Sequence, residues 1–193
     1  MLKKINSQDG FTLAELVIVI ALIGALAALA LGPLKGLWSS GKVSSAVSNV
    51  QRLENEVNIY AGYNAGMVNT GGTDIIAAMV AQGVIGTNWT NSDGDTGSGA
   101  CGSGGGVAHC NPWGGYYSIN SVASNVYTIS LQDVPQNAAF NMATDFFNSA
   151  NNDYTGSGTG IYWNGSGLTP GYIKSTVPSS ATLGTLTIYF EAA

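Results

Sequence analysis

Between Glu15 and Lys35 the chain carries no charge: LVIVIALIGALAALALGPL fills residues 16–34. As a helix, this run is roughly 28 Å long at 1.5 Å rise per residue, close to the ~30 Å hydrocarbon core of a bilayer. It is apolar on every side, so it needs lipid or other helices around it. A secretory signal would have a shorter apolar region with a small-residue cleavage site behind it. Here the obvious processing mark, Gly10, stands in front of the run. Lys3 and Lys4 predict that this end stays in the cytoplasm and that the rest of the chain faces outward.

Gly32-Pro33 interrupts the run, because proline removes an N–H and clashes with the carbonyl four residues back. A kink or local melting is expected there. The helical pattern then resumes. Val43, Ala46, Val47, Val50, Leu53, Val57 and Tyr60 recur at spacings of three and four, one apolar stripe on a helix. One long helix over about 11–61 follows, apolar all round in its first half and amphipathic in its second. The expected organisation is a leader at 1–10, a hydrophobic helix at 11–34, an amphipathic continuation at 35–62 and a head domain at 63–193.

Within the head, Asp74 or Thr73 can cap a short helix at 74–82, and Gly83 can stop it. A glycine-rich loop is expected at 83–115. Residues 116–120 and NVYTISL at 125–131 read as strands, and 159–163 and 184–190 as two more. In DVPQ, Asp133 as cap, Pro135 in the first turn and Gln136 form a helix-start signature. Ala139, Met142, Ala143, Phe146 and Ala150 would be the buried side of that helix. The predicted fold class is α+β: a long amino-terminal helix packed on an antiparallel sheet.

Charge narrows the function. Only 9% of residues are charged and the formal net charge is −5, against about 25% charged in a typical soluble domain. Beyond Arg52 the only basic residue is Lys174. Nucleic-acid binding needs several Lys or Arg against phosphates, so none is expected here. The two cysteines, Cys101 and Cys110, suggest a disulfide in an exported chain. Two free thiols, or a metal site with His109, are the alternatives.

Taken together, GFTLAELVIVIALIGALAAL resembles the amino-terminal signature of the type IV pilin family. The resemblance covers roughly 25 residues. It implies that a short basic leader is removed after Gly10 by a prepilin peptidase and that the new amino terminus, Phe11, is N-methylated. It also implies that Glu15 meets the Phe11 amine of a neighbouring subunit when the helices bundle in a filament. A Glu near a helix start also favours the helix dipole, which is the plainer reading of Glu15. NPWGGYYSI and NVYTISLQDVP resemble the heads of type IVb-like major pilins, although Ala139 lies in a helix where such pilins often carry a Cys.

The resemblance implies a structural subunit, a major pilin. Its partners would be copies of itself, the prepilin peptidase and the assembly machinery of the inner membrane. It would lodge in that membrane as a precursor and end in an extracellular pilus. A pseudopilin of a type II secretion system, or a minor pilin acting as a tip adhesin, are the rivals. No cofactor is expected, and no catalytic constellation points to an enzyme. NSDGDTG at 91–97 spaces oxygen ligands as a calcium loop does, but Gly102 stands where a bidentate Glu belongs, and a polar turn is the simpler reading.

Overall fold

The computed structural model describes residues 12–66, 74–89, 101, 110–123, 125–150 and 160–192, with the side chains of residues 28–38 left aside. Helix α1 (Leu13–Tyr63) runs through Gly32 and Pro33 without ending. The chain divides into two compact units at Ser40/Gly41.

In the second unit, the predicted stripe of α1 is the helical half of a core. Ala46, Val50, Leu53 and Val57 are fully buried, with Tyr60 and Ala61 beside them. Val43 and Val47 lie half-buried at its margin. Each fully buried Leu, Ile or Val contributes roughly 1.5–3 kcal/mol. Gly41, at the start of this unit, is helical, and a Cβ there would meet nothing within 4 Å. Gly41→Ala is therefore expected to stabilise the head by about 0.5–1 kcal/mol. A melting midpoint at or below that of the parent chain would contradict this.

The other half of the core is one face of a five-stranded antiparallel sheet, ordered β1-β2-β5-β3-β4. Its strands are β1 (Tyr117–Ala123), β2 (Val126–Pro135), β3 (Ile161–Trp163), β4 (Ser166–Gly167) and β5 (Leu183–Glu191). Alternation puts Tyr117 and Ile119, then Tyr127, Ile129 and Leu131, then Leu186, Ile188 and Phe190 on the buried side. Tyr127 stacks on Phe190 at 5.6 Å, and Phe146 of α3 (Gln136–Phe146) meets the same Phe190 edge-on at 6.1 Å. The architecture is α+β, as the sequence predicts.

Small elements fix the register. Helix α2 (Ile76–Ala81) starts where Asp74 Oδ1 accepts from Ile76 N at 3.0 Å. The same oxygen accepts from Ile119 N at 3.2 Å, which pins the helix to the edge of β1. Asn164 and Gly165 join β3 to β4 with φ of 47° and 79°, the two positive values a type I′ hairpin turn requires. Helix α4 (Pro170–Ser175) begins with Thr169 Oγ1 accepting from Tyr172 N at 3.0 Å and Pro170 in the first turn.

The DVPQ expectation needs correction. Strand β2 continues to Pro135, and Asp133 sits in a bulge with φ of 54°. Pro135 itself occupies the cap position, without a side-chain bond. The open N–H groups of α3 are met from a distance: Gln136 N donates to Thr182 O at 2.9 Å and Asn137 N to Ser179 O at 3.3 Å. Gln136 Oε1 accepts from Ser179 N at 3.1 Å and does not reach back to Asp133. The predicted buried side, Ala139, Met142, Ala143, Phe146 and Ala150, is buried throughout.

Candidate functional site

Gly10 and Phe11, the predicted cleavage and methylation positions, lie outside the described residues. The chain becomes describable at Thr12, where α1 opens with a reciprocal set of bonds. Thr12 N donates to Glu15 Oε2 at 2.9 Å, Thr12 Oγ1 donates to the same oxygen at 2.8 Å, and Glu15 N donates to Thr12 Oγ1 at 3.3 Å. This is a capping box, in which a Thr and the Glu three residues on satisfy each other's open backbone donors. Glu15 is thus an organiser of its own helix start. The sequence signal for Thr12 is the Thr-x-x-Glu spacing ahead of an apolar run.

Over residues 13–27, beyond this cap, every residue of the helix is exposed. Leu13 is 82% exposed, and Leu16, Val17, Ile18, Val19 and Ile20 lie between 49% and 59%. Successive helical residues turn by about 100°, so this consecutive run leaves no covered side. Apolar surface on this scale marks contact with other chains or with lipid. Among the described residues no helix is long and apolar enough to cross a membrane. Residues 12–27, whose side chains are described, are fewer than the ~20 such a span needs.

In the amphipathic half, Arg52, Glu54 and Glu56 lie on the flanks of the buried stripe. Arg52 pairs with Glu56 at 3.6 Å and lies 5.2 Å over the ring of Trp89, itself buried against Tyr117 at 6.1 Å. Trp89 closes a short 3₁₀ turn, Thr87–Trp89. Burial pushes the Tyr117 phenol up to about 12, against the bond it receives from Asn49 and the nearby Arg52. Burial also holds the Glu54 carboxyl above its ordinary range, and that of Glu56 despite Arg52.

Such groups bind protons more tightly folded than unfolded. Their stability contribution is complete below the ordinary carboxylate pKa and is lost as pH rises through the raised folded value. Glu54→Gln is expected to flatten that decline and to raise the melting midpoint at neutral pH. A variant that melts lower there, on an unchanged pH slope, would contradict it.

Cys101 and Cys110 form a disulfide with Cα atoms 5.5 Å apart, which replaces the free-thiol and metal alternatives for these residues. Cys110 bridges to Tyr116, and Asn111 knots the turn between them. Asn111 N donates to Gly115 O at 2.8 Å, its Oδ1 accepts from Trp113 N at 2.9 Å and Gly115 N at 3.2 Å, and its Nδ2 donates to Gln132 O on β2. Closing a ten-residue segment contributes roughly 2–3 kcal/mol. Reduction is expected to lower the melting midpoint accordingly, and alkylation should find thiols only after reduction. Free thiols in untreated protein would refute the bridge. His109 and the 91–97 loop lie outside the described residues. Among the described residues no three His, Cys, Asp or Glu side chains gather as a metal site.

The chain thus opens on a capped helix exposed on every side over residues 13–27 and carries a folded α+β unit after it. The prokaryotic N-terminal methylation motif matches residues 5–31. The chain is 40% identical over 55 residues to the type II secretion system core protein G of Escherichia coli (strain K12), which covers 28% of this chain and 38% of that protein. The chain therefore spans well under half the length of that curated relative. Both findings support a protein of type IV pilin type, taken broadly enough to include the pseudopilins. The motif implies a leader removed by prepilin peptidase, an inner-membrane precursor and assembly with other subunits.

Proposed function

We propose that the protein is the major subunit of a type IV pilus, polymerising through residues 11–61 and displaying its head outside. Its work is structural and no catalytic step is assigned to it. The observation that carries this reading is the open apolar surface of residues 13–26, headed by one acid at Glu15. A subunit of this build buries that surface only among copies of itself or in lipid. In the bundle, Glu15 would face the Phe11 amine of a neighbour.

Shearing surface filaments from cells, imaging them and identifying their main band by mass spectrometry tests the proposal. The expected main band is this chain beginning at N-methyl-Phe11. Filaments built from another protein would overturn it.

A second reading is a pseudopilin, favoured by the 40% identity to the secretion-system core protein. On that reading, deleting the gene leaves exported enzymes trapped in the periplasm, and surface filaments are unaffected.

A further inference from the structure

We draw no further inference here: the strongest candidate, the outer face of the sheet where Ser118, Ser130, Thr187 and Tyr162 stand in one cross-strand row, carries nothing because Ser130 is only 7% exposed there and nothing in the structure shows what covers it.

Discussion

Cells carrying Glu15→Gln are expected to insert and process the subunit normally and to display few or no filaments. The capping box makes this substitution more discriminating than Glu15→Ala. Glutamine at the third helical position still completes such a box, so the bonds with Thr12 can survive and only the charge is lost. Alanine removes the charge and the two bonds that the carboxylate accepts from Thr12, leaving only the bond from its own N–H to Thr12 Oγ1. Thr12 stays as the cap in either variant, and loss of the dipole interaction costs about 0.3–1 kcal/mol. Leaving a neighbour's amine unpaired in an apolar bundle costs about 3–5 kcal/mol, repeated at every subunit. If Glu15 serves its own helix alone, Gln should assemble almost as well as Glu while Ala falls behind. If it serves a neighbour, Gln and Ala should fail together. Counting filaments on cells with equal amounts of processed subunit separates the two. Wild-type numbers on Glu15→Gln cells would remove charge pairing from the proposal.

Gly115→Ala is expected to destabilise the head by about 3 kcal/mol, the upper end of the ordinary overpacking range. A Cβ at Gly115 would drive into the backbone carbonyl of Gln132 and crowd the Asn111 amide. Neither neighbour is a flexible tip: one is strand backbone and the other is the centre of the turn. The adjacent Gly114 provides the control. It has φ of 97°, but open space around it, so Gly114→Ala suffers backbone strain without a collision and should cost only about 1–2 kcal/mol. For a domain of this size 1 kcal/mol moves the melting midpoint by roughly 2–4 °C. Thermal melts of the two variants should therefore separate clearly, and equal midpoints would show that β1 and β2 can shift to admit the extra carbon.

The sequence disclosed most where one periodicity ran long. The stripe from Ala46 to Tyr60 and the strand over 125–131 were both legible, because apolar residues recur there at three and four or at two, although Thr128 and Ser130 on the strand's other face are buried as well. It disclosed least where the partner was remote. Gln136 looked like half of a local cap, but its oxygen is taken by Ser179, forty-three residues on. Asp133 looked like the other half, but its positive φ belongs to a bulge that only the pairing with β5 defines. Helix α4 went unread although Thr169-Pro170 is a fair start signal, because its few residues offer no period to count. At the amino terminus the cleavage and methylation positions are expectations that rest on resemblance alone. The Thr12–Glu15 box needed no resemblance at all.

The strand order also sets a schedule. β5, last in the chain, is flanked by β2 and β3 near the middle of the sheet. Until it arrives, β1 and β2 form a two-stranded ribbon, marginal by itself in water, and β3 and β4 share only two rungs. Neither fragment can cover the stripe from Ala46 to Tyr60. During synthesis the amino-terminal helix leaves the ribosome first and waits longest for its counterpart. Pairings between such distant segments are slow to form. On the proposed reading, the subunit is moored by one end while its outer part is still an open chain, and only the arrival of Leu183–Glu191 turns a tether into a building block.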